Sequence, residues 1–270
     1  MNELFDTFKP QNSIVKKYVD YYYLDIKPDN VVKEIQTFPH FNNIISFYKS
    51  DIRIQGDEMV FHKSVEPNQV FTPIREKILT LKQFGRVHGI VIVFHTFGIQ
   101  QFFRGVDFSN YVTDVEFFSQ EELQQLFSTK ETNVLTNMID KFLEKRFIKF
   151  ENLIVEKSLR YIFNDYEKFS ITEISKEFGV SRQHLTRVFK SHLGISLKRF
   201  HKIVILRKTI HKRLFQNSSQ SFTDMAYEFN FSDQSHLIKT YKELTKCSPK
   251  SFFEKGTLLG KNDTFWHLDS

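Results

Sequence analysis

A helical motif written twice in the last third constrains this chain more than any other feature. Residues 171–200 read ITEISKEFGVSRQHLTRVFKSHLGISLKRF, and residues 222–252 read FTDMAYEFNFSDQSHLIKTYKELTKCSPKSF. Thr172 matches Thr223, Ile174 matches Met225, Glu177 matches Glu228, Phe178 matches Phe229 and Ser181 matches Ser232, all at an offset of 51. From there the offset is 52, pairing Leu185 with Leu237, Arg187 with Lys239, Phe189 with Tyr241, Lys190 with Lys242, Ser196 with Ser248 and Phe200 with Phe252. One residue inserted near the start of the later helix of the second copy accounts for the step. Agreement in size and polarity over such a length marks a duplicated unit, and two units are too few for a solenoid.

Each copy carries the parts of a helix-turn-helix. Ser170 and Glu173 stand at capping-box spacing before a short helix, and Ser221 and Asp224 repeat the arrangement. Gly179 and Asn230 end those helices with residue types that tolerate positive φ. Ser181 and Ser232 are the expected N-caps of the helices that follow. In the first of these, Leu185, Val188, Phe189 and Leu193 form an apolar stripe, and Gln183, Thr186, Arg187 and Lys190 occupy the opposite face. The second presents Gln234, Ser235, Ile238, Lys239 and Lys242. A solvated surface explains an isolated charge on a helix. Arg187, suited to guanine O6 and N7, together with Gln183 and Thr186, suited to adenine or thymine, is instead the set that major-groove reading requires. Ile238 fits either a core position or a thymine methyl.

On these residues, SRQHLTRVFK with GIS after it and MAYEFNFSDQSHLIKTYKELTKCSPKSF, the stretch from about 155 to 255 resembles the DNA-binding domain of the AraC family of bacterial transcription regulators. The resemblance implies two helix-turn-helix units joined by a long helix, here about 196–215, with both reading helices turned toward successive major grooves. It assigns Arg182, Gln183, Thr186 and Arg187 to the first base-reading set, and Asp233, Gln234, Ser235 and Lys239 to the second. Lys190 and Lys242 follow as DNA contacts nearer the backbone, and Lys198, Lys202 and Lys250 as further phosphate candidates. RNA polymerase is the partner that such a regulator implies. Asn230 and Lys246 stand where the family favours glycine.

Charge is distributed accordingly. Residues 151–255 hold 19 Lys and Arg against 11 Asp and Glu, whereas residues 1–150 hold 18 against 19. The positive balance sits where a phosphate-binding surface would need it. A length of 270 residues leaves room for two domains, each with a core of its own. Cys247 is the only cysteine, so no internal disulfide forms, and the expected location is cytoplasmic. The start MNELFDTFKPQ does not read as a signal peptide, and no apolar run is long enough for a membrane span.

The expected class is α+β and multidomain. Residues 1–130 read as a β-rich sensor or regulatory domain, a small barrel or sandwich, with strands at 43–49, 59–62, 77–83 and 87–94 and turn signals at Gly56-Asp57 and Pro67-Asn68. The stretches YVDYYYLDIKPDN and FHTFGIQQFF are similar to sensor domains attached to some AraC-like regulators, and a small-molecule effector is the implied ligand. Phe47, Tyr48, Phe61, Ile92 and Phe94 are candidate lining residues for it, or core. Residues 131–150 form a connecting helix. Val134, Leu135, Met138, Ile139, Phe142 and Leu143 recur on it at helical spacing and either pack on the barrel or, the favoured reading, pair with a second copy in a homodimer. Residues 151–255 are the all-α DNA-binding domain, and 256–270 a tail.

No catalytic or cofactor signature is present: there is no Walker loop and no dinucleotide fingerprint. Cys247, before Ser248-Pro249, reads as a small filler rather than a nucleophile. His40, His62, His88 and His95 lie in or beside the β-rich part without tight metal-ligand spacing. The expectation is a non-enzymatic, sequence-specific regulator of transcription acting on double-stranded DNA. The alternative is a metal-dependent barrel enzyme with an appended helical targeting domain.

Overall fold

The computed structural model describes residues 3–28, 32, 34–108, 112–261 and 264–269. Asp29 and Asn30, at the end of the aromatic run, lie outside the described residues, as do the first two residues of the chain. The N-terminal half, with two strands from the C-terminal end, forms one sheet in the order β1-β2-β7-β4-β5-β6-β3-β10-β9. Its strands are β1 (Leu4–Phe8), β2 (Val19–Lys27), β3 (Glu34–Thr37), β4 (Asn43–Gln55), β5 (Glu58–Thr72), β6 (Leu79–Gln83), β7 (Val87–Phe94), β9 (Gly256–Leu258) and β10 (Phe265–Asp269), with a short β8 (Thr113–Asp114) on β5. The sheet curls until its ends meet. Phe5 of β1 packs edge-on against Trp266 of β10 at 5.5 Å, and the Lys261 amide donates to the Thr7 hydroxyl at 3.0 Å.

Alternation along the strands gives the sheet two apolar faces. Tyr21 and Tyr23, Tyr48, Phe61, and Val91 and Val93 point into the barrel with Trp266. Tyr22, Leu24, Phe47, Ile90, Ile92 and Phe94 point outward under two helices, α1 (Gln120–Leu126) and α2 (Thr132–Arg146). Of the five residues expected to line the barrel, Phe47, Ile92 and Phe94 are therefore on the helix-covered side. Four residues of the α2 stripe, Leu135, Ile139, Phe142 and Leu143, are buried against the sheet, while Met138 is half-buried and Val134 exposed. The Asp140 carboxylate is anchored there, accepting from the Tyr22 hydroxyl and from the amides of Gln11 and Asn12, each at 2.7 Å.

Two turn signals resolve differently. Gly56-Asp57 makes a two-residue hairpin, with Gly56 at φ +59°. Pro67-Asn68 lies inside β5, where the pairing with β4 steps from Tyr48↔Asn68 to Ser50↔Lys63; the extra residues form a bulge, a setting that tolerates a proline without an N–H to pair.

The C-terminal half is helical: α3 (Leu153–Asn164), α4 (Ile171–Glu177), α5 (Arg182–Leu193), α6 (Leu197–His211), α7 (Phe222–Glu228), α8 (Gln234–Thr245) and α9 (Pro249–Lys255). Leu197, Phe200, Ile203 and Val204 of α6 are buried in the first unit, Leu206 and Ile210 in the second. Neither core is purely helical, for Ile74 and Phe97 join the first, and Phe38 and Phe265 of β10 join the second. Residues 256–258 and 265–269, read as tail, are strands that return the chain to the barrel, β10 pairing with β3.

Candidate nucleic-acid interface

The two helix pairs are built by matching local devices. The Ser170 and Ser221 hydroxyls accept from the amides of Glu173 and Asp224, at 3.3 and 3.0 Å, and start α4 and α7. The turns after them are left-handed at Gly179 (φ +63°) and Asn230 (φ +57°). The Val180 amide donates to Ser175 O and the Phe231 amide to Ala226 O, still at an offset of 51. At the next residue the copies diverge. Ser181 caps α5 through the His184 amide at 3.1 Å, but in the second copy Asp233 caps α8 through the His236 amide at 2.8 Å. Ser232 is thus the inserted residue, and Asp233, expected among the base readers, commits its carboxylate to the cap in the place of Ser181. From the caps onward the offset is 52, and both helices close on left-handed residues, Gly194 (φ +73°) and Lys246 (φ +59°).

Burial separates the faces of α5 and α8. Leu185, Phe189 and Leu193 of α5, and Leu237, Tyr241 and Leu244 of α8, are buried. Arg182, Gln183, Arg187 and Lys190 are exposed and Thr186 is half-exposed; these five share one groove with Ile171 and Thr172 of α4. On α8, Gln234, Ser235, Lys239 and Lys242 are exposed. Ile238, the equivalent of Thr186, is half-buried on the same side. The Arg187 guanidinium lies 3.2 Å from His184 Nδ1, and the Thr223 hydroxyl donates to Gln234 Oε1 at 3.1 Å, fixing that amide. The repeated Thr172 and Thr223, visible in the sequence alignment of the copies, are the neighbours of the reading faces that residue chemistry alone did not single out.

Lys202, expected as a phosphate contact, is ion-paired within the domain. Its Nζ is 2.8 Å from Glu243 Oε2, and Arg199 bridges the same carboxylate and Glu76, 3.4 Å away. The Lys202 hydrogen bond, with both positive charges, holds the Glu243 carboxyl below its usual range. This cluster ties α6 to α8 and to the barrel side. Lys250 lies 3.9 Å from Glu254 on its own helix, whereas Lys198 is exposed.

Further contacts fix each unit against the barrel. Gln100 Nε2 donates to His192 O at the end of α5 at 2.8 Å, and Asn152 Nδ2 lies 3.0 Å from His192 Nε2, with burial lowering the imidazole pKa. Arg207, 5% exposed, donates to the carbonyls of Pro39 and Phe38 at 2.7 and 3.0 Å. Sequence patterning gives no sign of these long-range partners.

The barrel histidines have separate neighbours. His40 packs on Phe41, His62 stacks on Phe84, and His88 meets Phe127 edge-on at 4.9 Å; burial lowers the pKa of His95. Among the described residues no group of three or more His, Cys, Asp or Glu is placed to hold a metal ion, and no helix is long and apolar enough to cross a membrane.

Residues 174–255 match a family model described as a helix-turn-helix domain. The chain is 27% identical over 130 residues to the HTH-type transcriptional regulator ExsA of Pseudomonas aeruginosa, a match covering 48% of this chain and 44% of that protein. It is 32% identical over 80 residues to the HTH-type transcriptional regulator GlxA of Rhizobium meliloti, covering 30% of this chain and 24% of that one. The chain thus spans less than half the length of these curated relatives. Likeness to ToxT from Vibrio cholerae extends over both halves, with a TM-score of 0.52 at 12% identity, covering 86% of this chain and 98% of the other. A second ToxT structure, an apo variant, gives a TM-score of 0.53 at 12% identity over 91% and 98% of the two chains. The two-part architecture is that of these structures.

Proposed function

We propose that this chain, in which residues 174–255 are a helix-turn-helix domain of the AraC type, is a sequence-specific regulator of transcription. In this reading α5 and α8 enter successive major grooves of one duplex. Arg182, Gln183, Thr186 and Arg187 address one half-site; Gln234, Ser235, Ile238 and Lys239 address the other. Lys190 and Lys242, near the helix ends, address the backbone. Asp233 serves chiefly as the cap that sets the pitch of α8. The observation that carries the reading is the equivalence of the two helices from cap to closing turn, each with its apolar stripe buried and its polar face exposed. A structural repeat needs the stripe alone; two outward-facing sets of base-matching side chains suit two copies of one DNA ligand's groove.

The β-rich half is proposed to carry control by a small-molecule effector, and RNA polymerase and a second copy of the chain are proposed partners in a bacterial cytoplasm. With four residues of the α2 stripe buried on the sheet, such a dimer would rest mainly on another surface. No enzymatic step is assigned. Selection of bound sequences from random duplexes tests the proposal. The expected outcome is two short motifs whose centres are about one helical turn, roughly 10 bp, apart. Binding that falls with salt but selects no motif would contradict it.

A further inference from the structure

One position on α8 is apolar where neither core asks for it. Ile238 takes the place that Thr186 holds on α5, with Gln234 one turn before it, Lys242 one turn after it, and Ser235 and Lys239 beside it. Those four neighbours are exposed, whereas Ile238 is half-buried. Ile205, Phe222 and Phe253, buried to a similar degree, pack against the core of the second unit. Ile238 packs against none of the apolar cores of the described residues, and the stripe of Leu237, Tyr241 and Leu244 is complete without it. A lone apolar side chain on a surface is ordinary. This one stands inside a polar face whose counterpart on α5 borders a groove with Arg182, Gln183 and Arg187.

Its neighbour narrows what that face can read. The Thr223 hydroxyl donates to Gln234 Oε1 at 3.1 Å, and among the described residues nothing accepts from Gln234 Nε2. A glutamine paired with adenine uses both ends of its amide, the oxygen accepting from N6–H and the nitrogen donating to N7. With its oxygen held by α7, Gln234 presents donors. Donors suit guanine O6 and N7 or thymine O4, and of these two bases only thymine sets an apolar group, the C5-methyl, beside the acceptor. In the first copy the same two positions hold Arg182, a charged donor suited to guanine, and Thr186, whose hydroxyl serves more than one base.

We infer that Ile238 and Gln234 make the half-site under α8 specific for thymine, with Ile238 on the C5-methyl and Gln234 Nε2 donating to O4. The assignment rests on the DNA-reading proposal above and deepens it, naming a base that the second half-site carries. It also gives the two half-sites different preferences, although the units that read them are copies.

The test takes the duplex selected by the full chain and remakes it with deoxyuridine for thymine, first in one motif and then in the other. Deoxyuridine keeps O4 and lacks only the methyl. In one of the two motifs the replacement should weaken binding about fourfold, the worth of one buried methyl group. Ile238→Ser should bind that remade duplex and the original equally, Ile238→Val should keep part of the preference, and both variants should unfold near the temperature of the parent. In the other motif, parent and Ile238→Ser should respond alike. A parent indifferent to both replacements would overturn the assignment, as would parent and Ile238→Ser responding alike to each, or motifs that contain no thymine. Those outcomes leave the DNA-reading proposal standing, because a motif pair was selected; a selection that yields no motif overturns both.

Discussion

Arg187 shows how much one side chain can be asked to do. It sits one turn beyond Gln183 on the exposed side of α5, while Leu185 and Phe189 hold the helix from behind. Arg187→Ala is expected to cost about 1 to 3 kcal/mol on the selected site and much less on a scrambled duplex, the mark of a base contact. Lys190→Ala should weaken both duplexes by nearly the same factor, since phosphate contacts carry no sequence information. Binding isotherms of the two variants on the two duplexes at one salt concentration decide this. Far from α5 and α8, His88 has a pKa pushed down to about 4 by burial, with Lys130 and Lys49 adding repulsion, and its buried Nε2 has no hydrogen-bond partner among the described residues. The unfolded imidazole titrates near 6.5, so the unfolded chain takes up the proton first as pH falls. Stability associated with His88 is whole above about 6.5 and is lost on the way down to about 4. His88→Phe, beside Phe127, should flatten the fall in melting temperature across that window. Parallel pH profiles for variant and parent would show that this imidazole does not drive the loss.

At the scale of elements, two left-handed positions lack the glycine their counterparts have. Lys246 holds φ +59° where the first copy has Gly194, and Asn230 holds φ +57° where it has Gly179. Lys246→Gly relieves roughly 1 to 2 kcal/mol of backbone strain against roughly 0.5 to 1 kcal/mol of extra chain entropy in the unfolded state, for a net gain of about 0 to 1.5 kcal/mol. Lys246→Val, β-branched, should destabilise instead, and chemical denaturation of both variants checks the pair of signs. These turns, the serine caps and the stripe of α5 are legible in the sequence because each is set by residues within a few positions of one another. The cap of α8 was harder to place, since Ser232 and Asp233 are both good N-caps and only the backbone shows which one takes the role. In the barrel, Phe47 and Tyr48 cannot both point inward because neighbours on a strand face opposite ways; without the register, their sides could not be assigned. Strands β1, β2, β3, β8, β9 and β10 are not among those the sequence marks; β3 and β10 are short, and their pairing joins residues 34–36 to residues 267–269, a contact no local pattern announces.

Across the whole molecule, the two halves are less separable than composition suggests. Phe38, Ile74, Phe97 and Phe265 belong to the cores of the helical units, Arg207 is bonded to the barrel side, and β10 closes the sheet after the chain has passed through both units. Such a build fits a molecule in which the β-rich half acts on the spacing of α5 and α8, with α6 as the shared member. In the proposed reading, each helix reads its own half of one site. Repeating the random-duplex selection with Arg187→Ala and with Lys239→Ala, at a fixed salt concentration, tests it most directly. Arg187→Ala should blur base preference in one motif and leave the other sharp, and Lys239→Ala should do the reverse about one helical turn away. Loss of preference in the same motif with both variants, or an unchanged motif pair with either, would contradict it.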